Sequence, residues 1–231
     1  MTLNDGKLTI EAAIFDLDGT IIDSIPIYYR IIDIVFEKLE LPPVSNSQIA
    51  EAAKDGDFNW DVVLSERVLN RKDEIITAAR KIIYDIYPEM FGKDLKLIPR
   101  AAEALKEISS SGIKIGIVTS TPTQGMAYKL KLLKRNGIAE LLKVIITADD
   151  VQEKKPAAEP LVKCAKRLGV ALNQSVYVGD TRVDIRAGKA AGMKTIGVLT
   201  GFDDYESLKK EKPDAIIKSI NELGEKITRQ L

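Results

Sequence analysis

Apolar and polar positions run along this chain in blocks whose period changes twice. Ala12-Ala13-Ile14-Phe15 is a continuous apolar run that stops at Asp16, the pattern of a buried strand feeding a polar loop. Over 27–39 the apolar residues fall at Ile27, Ile31, Ile34, Val35 and Leu39, close to helical spacing. Stretches 62–69 and 75–87 continue in that style, with Pro42-Pro43 and Asp55-Gly56 as punctuation. Nothing there alternates at the strand period, so 23–94 reads as an all-helical insertion.

From Pro99 onward helices and strands alternate. A helix over 101–109 stops near Gly112, and strands are predicted at 113–118, 144–147, 176–178 and 195–199. Helices over 124–135, 157–168 and 182–191 lie between them, with a last short strand at 215–217 and a closing helix over 219–227. Short strands separated by helices of about ten residues imply a parallel sheet covered on both faces, an α/β fold. Residues 1–22 and 95–231 make that core and 23–94 a second, helical domain.

Composition narrows the chemistry. The chain has 231 residues, 45% of them hydrophobic, which suits a large core. Lys plus Arg and Asp plus Glu both number 34, and a formal charge of zero argues against nucleic-acid or membrane-surface partners. The first eleven residues lack the apolar stretch of a signal peptide, and no run approaches a membrane span. The expectation is a soluble, cytoplasmic monomer or homodimer. A single cysteine, Cys164, excludes an intrachain disulfide and a cysteine-cluster metal site. It falls on one side of its helix with Leu161, Ala165 and Leu168, as a buried structural thiol does. The chain has no histidine, which excludes histidine triads, phosphohistidine chemistry and histidine-ligated zinc.

Sites in open α/β sheets gather at the carboxyl ends of strands. The polar residues there are Asp16-Leu17-Asp18-Gly19-Thr20, Thr119-Ser120, Lys155-Pro156 ahead of a crossover helix, and the stretch Gly179-Asp180-Thr181-Arg182-Val183-Asp184. Asp16, Asp180 and Asp184 brought together would repel one another by several kcal/mol unless a cation sat among them. A hard, oxygen-liganded ion resolves this, magnesium by default. Plainer readings exist: Asp180 and Asp184 as a helix N-cap and a first-turn acid, Thr119 as a strand end. A calcium loop is excluded, because Gly19 is the fourth residue from Asp16 where that loop needs its glycine sixth. Gly188-Lys189 is no phosphate loop, since Val183 and Ala190 stand where glycine and a hydroxyl residue are required. Asp149-Asp150 reads as a turn cap near the site rim.

These four elements, in this order, resemble the haloacid dehalogenase-like hydrolase superfamily, in particular its members with a helical cap inserted after the first strand. The resemblance spans essentially the whole chain. It implies a Rossmann-like three-layer parallel-sheet core with an inserted all-helical cap domain. It also implies a magnesium-dependent phosphatase acting through an aspartyl-phosphate on a small phosphorylated metabolite. Asp16 would be the nucleophile, and Asp18 the acid and base whose backbone carbonyl also touches the metal. Thr119 would hold a phosphoryl oxygen and Lys155 would offset charge. Asp180 would bind Mg2+, with Asp184 as a further ligand or as the residue that orients the shell. Lys154 competes with Lys155, which is preferred because it immediately precedes Pro156, as in the resembled motif. Ser120 either adds a hydroxyl to the substrate site or shapes the loop.

Asp18 argues against carbon–halogen cleavage, which needs no acid two residues past the nucleophile. Among its relatives the chain looks most like the phosphoglycolate phosphatase subgroup, through Asp23-Ser24 and the tail with Gly197, Gly201, Pro213 and Asp214. Arg100 departs from it, standing where a glycine is common. A β-phosphoglucomutase-like phosphoryl-transfer enzyme is the alternative, weakened by the lack of histidine over 25–29. A non-catalytic phosphate-sensing relative is another. Substrate choice is expected in the cap, where Lys54, Trp60 and Arg67 are candidates to meet the organic part of the substrate. Solvated charge and cap core are the plainer readings of these three.

Overall fold

A computed structural model describes residues 7–53 and 58–229. The first strands are β1 (Leu8–Ile10) and β2 (Ala12–Phe15), and β2 is buried at every position. A tight loop leads to β3 (Ile22–Asp23). Helices α1 (Ile25–Lys38), α2 (Asn46–Ala53), α3 (Trp60–Val63) and α4 (Lys72–Lys93) follow, with a 3-10 helix at Glu66–Arg71. The chain returns through β4 (Lys96–Leu97), antiparallel to β3, so two short strands form the neck of the helical segment.

Beyond the neck the order is α5 (Ala101–Ser110), β5 (Lys114–Val118), α6 (Met126–Arg135), β6 (Leu142–Ile146), α7 (Glu159–Leu168) and β7 (Ser175–Gly179). Then come α8 (Arg182–Ala190), β8 (Lys194–Val198), α9 (Tyr205–Lys210), β9 (Ala215–Ile217) and β10 (Ile227–Arg229). Six strands form a parallel sheet in the order β6-β5-β2-β7-β8-β9. One apolar cluster, around Phe15, Ile115 and Leu105, packs one face of this sheet, and a second, around Ile14, Tyr177 and Cys164, packs the other. Helices therefore cover both faces, as the alternating pattern predicts.

Three expectations are corrected. The closing helix over 219–227 is a 3-10 helix at Ile220–Glu225 followed by β10, which pairs in parallel with β1. Gly224 disfavours a longer helix, and pairing with β1 buries Ile227. The helix expected to stop at Tyr87 runs through Pro88 to Lys93, because Met90 and Phe91 beyond the proline are core residues. Their burial outweighs the lost backbone hydrogen bond. Asp23, the first residue of the expected all-helical segment, instead belongs with Ile22 to a strand of the neck. Cys164 is fully buried, as read from its helix face, and burial pushes its thiol up to about 12. Among the described residues no helix is long and apolar enough to cross a membrane.

Candidate active site

The sheet order places β2 between β5 and β7, with Phe15 level with Ile117 on one side and Val178 on the other. The residues that follow these three strands, Asp16, Thr119 and Asp180, therefore emerge on one rim. All three are buried at 6%, 4% and 1% exposure. Asp16, Asp180 and Asp184 each present a carboxylate oxygen, and these oxygens lie within 4.8 Å of one another.

Lys155 enters from the loop before α7. Its ammonium donates to Asp16 Oδ1 and to Asp184 Oδ1, both at 2.6 Å, and to the Tyr177 hydroxyl at 3.0 Å. Burial pulls its pKa down, but the Asp16 and Asp184 charges outweigh that and hold it well above the ordinary lysine value. Asp16 is pushed up to about 7, first by burial and then by Asp184 and Asp18, against the opposing pull of Lys155. Asp180 is held well above the ordinary carboxylate range by burial, with Asp184 and Asp16 adding to it. Asp16 and Asp184 share this ammonium and buried Asp180 lies beside them, so three carboxylates meet one positive charge, a balance suited to a seat for a metal ion.

Local backbone explains the shape of that seat. Gly19 has φ +75°, and a Cβ there would stand 2.7 Å from Asp180 Oδ2. At Gly201 the same atom would be 1.7 Å from Asp180 Oδ2, so only glycine lets this loop close over the carboxylate. Asp180 also accepts from Thr20 Oγ1 at 3.1 Å and from the Phe202 amide at 3.0 Å. Asp184 is the first-turn acid that the plainer reading allows, and it also reaches the lysine of the site. Its Oδ2 closes a capping box with Thr181, which is the N-cap of α8, while its Oδ1 serves Lys155 and Tyr177. With both oxygens engaged, Asp184 is arranged to hold Lys155 and the helix start in place. Thr119 Oγ1 accepts from the Thr121 amide at 3.1 Å, and exposed Ser120 follows it on the cleft wall.

Asp18 stands apart from the carboxylate cluster and faces Lys129, a residue that sequence reasoning missed. The Lys129 side chain is fully buried. Its ammonium donates to Asp18 Oδ2 and to Thr121 Oγ1, and lies 5.6 Å from the Phe91 ring centroid. Thr121 Oγ1 also donates to Asp18 Oδ2 at 2.9 Å, whereas Asp18 Oδ1 is buried without a hydrogen-bond partner. Burial raises the Asp18 carboxyl, but the Lys129 charge and hydrogen bond outweigh it and hold the group below the usual range. A signal was present: Lys129 shares the inward stripe of its helix with Met126, Leu132 and Leu133, where a lysine needs a buried partner. Tyr177 was missed for a like reason, being one aromatic residue in an otherwise apolar strand.

The rim opens into a cleft of about 720 Å³ between the sheet end and the helical segment. Asp16, Asp18, Thr119, Ser120, Lys155, Asp180 and Asp184 all line it. Of the cap candidates, Trp60 lines it too, while also stacking on Phe36 and meeting Phe58 edge-on. Arg67 does not: it is exposed on the 3-10 helix and absent from the cleft wall, because that turn faces solvent. Lys54 lies outside the described residues. Arg80, which the sequence reading passed over, does line the cleft. Asp149, as expected, caps a turn at the rim by accepting from the Thr123 amide at 2.7 Å.

Comparison with known proteins agrees with this architecture. The chain matches a family model for haloacid dehalogenase-like hydrolases over residues 13–198. It is 33% identical over 234 residues to the phosphoglycolate phosphatase of Escherichia coli K12, across 93% of this chain and 91% of that one. Identity to the phosphoglycolate phosphatase of Salmonella typhimurium LT2 is 34% over 239 residues, across 95% and 93% of the two chains. A solved structure of a predicted phosphoglycolate phosphatase from Haemophilus somnus superposes with a TM-score of 0.78 at 24% identity, across 94% of this chain and 97% of that one. The chain belongs to the haloacid dehalogenase-like hydrolases and, within that family, is similar to the phosphoglycolate phosphatases.

Proposed function

We propose that this hydrolase is a magnesium-dependent phosphatase that cleaves a small phosphomonoester through a phosphoenzyme on Asp16. In this reading residues 1–22 and 95–231 are the catalytic core and 23–94 the cap. The observation that carries it is the convergence of Asp16, Asp180 and Asp184, whose carboxylate oxygens lie within 4.8 Å of one another, beside a lysine that pairs with Asp16 and Asp184. That set combines a nucleophile, a cation to meet phosphoryl oxygens and an all-oxygen seat for a hard divalent ion. Similarity to phosphoglycolate phosphatases supports phosphomonoesters as the substrate class.

The donor set suits magnesium, since the ligands are carboxylates with excess negative charge and no nitrogen or sulfur donor is present in the cluster. Asp16, Asp180 and the Asp18 carbonyl would hold the ion, with Asp184 as ligand or orienting group. Bound there, it supplies charge neutralisation that lets an anionic nucleophile approach an anionic phosphoryl group.

The chain's own residues perform the rest. An Asp16 carboxylate oxygen attacks phosphorus as the bond from phosphorus to the alcohol oxygen breaks, and the departing oxygen takes a proton from Asp18. Water then attacks the phosphorus of the aspartyl-phosphate, gives its proton to Asp18 and releases inorganic phosphate and the free Asp16 carboxylate. The sum is ester plus water to alcohol plus phosphate. Lys129 keeps Asp18 ionised in the resting cleft, the form needed to accept the water's proton. Arrival of a phosphate dianion raises the proton affinity of Asp18, which takes up a proton from solvent before its acid role and returns the water's proton to solvent once phosphate leaves. Lys155, Thr119 and Ser120 offer donors to the phosphoryl oxygens. Phosphate release from p-nitrophenyl phosphate tests the reading: EDTA should abolish it and added magnesium restore it, and full activity in excess chelator would refute it.

A further inference from the structure

We infer that the substrate of this site is not a two-carbon acid phosphate but a longer phosphomonoester, whose leaving alcohol carries an apolar ring and, beyond the ring, a second anionic group. The inference rests on the phosphatase reading above and concerns the part of the cleft that the catalytic residues do not occupy.

The cleft volume of about 720 Å³ is of the size that encloses a drug-sized ligand, far beyond the needs of phosphoglycolate. The wall away from the rim is apolar and aromatic. Helix α1 contributes Ile31 and Ile32, α2 contributes Ile49, and Phe58 and Trp60 meet edge-on with ring centroids 5.0 Å apart. A carboxylate on a short linker would lose hydration against such a wall and gain no partner, whereas a ring would bury apolar area and find aromatic faces.

Among the described residues, one cation interrupts this wall. Residues Arg80, Ile83 and Tyr87 of α4 fall on a single helical face and all line the cleft. Tyr87 marks the end of that face nearest the rim, since its hydroxyl donates to the Gly125 carbonyl of the loop after β5 at 3.1 Å. Seven residues of helix place Arg80 about 10 Å farther along the axis. In phosphoglycolate only three bonds separate phosphorus from the carboxyl carbon, a span under about 4 Å. Arg80 is exposed, and among the described residues it has no ion-pair partner, so its charge is available to a ligand. An anion carried on the far side of a ring system matches that spacing. A guanidinium is suited to bind it as a bidentate partner.

The test compares alkyl phosphates of similar leaving-group basicity, so that rate differences report recognition. With magnesium, kcat/KM is measured for phosphoglycolate, 2-phenylethyl phosphate and 2-(4-carboxyphenyl)ethyl phosphate, alongside p-nitrophenyl phosphate. Both ring-bearing esters should exceed phosphoglycolate by at least about tenfold, and the carboxylated ester should exceed the neutral one. Arg80→Gln should lower the ratio of carboxylated to neutral ester by about tenfold, the worth of one charge-assisted contact. Phosphoglycolate matching or beating the ring esters, with p-nitrophenyl phosphate still turned over, overturns this inference and leaves the phosphatase reading intact. An unchanged ratio in Arg80→Gln overturns the anion assignment. No turnover of p-nitrophenyl phosphate overturns the phosphatase reading itself.

Discussion

At the scale of single residues, two buried lysines divide the work. Lys155 ties Asp16 to Asp184, and Lys129 ties Asp18 to Thr121. Asp16→Asn keeps the shape but supplies a poor nucleophile, and phosphate release should fall by at least about a thousandfold. Lys129 acts through Asp18, and the pH profile separates this from a purely structural role. In the native protein Lys129 holds the Asp18 carboxyl below its ordinary range, so the ionised form persists to low pH. Lys129→Met removes that pull, and the acidic limb of kcat should move up by about one to three units. The loss should therefore be larger at pH 5–6 than at pH 8, with Lys129→Arg restoring part of the original profile. An unmoved limb would reduce Lys129 to a packing residue.

At the scale of elements, the departure at Arg100 acquires a physical meaning. This residue precedes α5 with φ 63° and ψ 12°, the left-handed region in which a side chain costs about 1–2 kcal/mol. Glycine escapes that cost but adds freedom to the unfolded chain. Because Arg100 is exposed, Arg100→Gly should stabilise the protein by about 0.5–1 kcal/mol, read as a higher urea midpoint at unchanged m-value. A lower midpoint would mean that the arginine makes a compensating contact. The expected core strands and helices were legible because their apolar periods are long and regular. The continuation of α4 past Pro88 and the pairing of β10 with β1 were not. Local propensity opposes the first, and the second joins segments at opposite ends of the chain.

At the scale of the whole molecule, folding concentrates negative charge at one rim, and this links stability to pH and metal. Asp16 has a folded pKa of about 7 against 3.8 for the free side chain. Between those values the native state holds a proton that the unfolded chain has lost. The contribution of this group to metal-free stability therefore falls as pH rises from about 4 to 7 and is constant above, and raised Asp180 works in the same direction. Magnesium competes with those protons. Its effect on Tm should be larger at about pH 8 than at about pH 5.5, by at least about 3 °C for a chain of this size. Equal shifts at both pH values would count against carboxylates as the metal ligands.

From its sequence alone the chain disclosed a parallel α/β core, a helical insertion after the first strand and the residues that would end the strands. These follow from periodicity and from short motifs, which are local properties. The tertiary structure decided which side chains face one another. The pairing of Lys129 with Asp18, the double engagement of Asp184, the turning of Arg67 to solvent and the place of Arg80 on the cleft wall all depend on how elements distant in sequence pack. A helical stripe identifies what is buried, but the partner across the interface is chosen only when the other surface arrives.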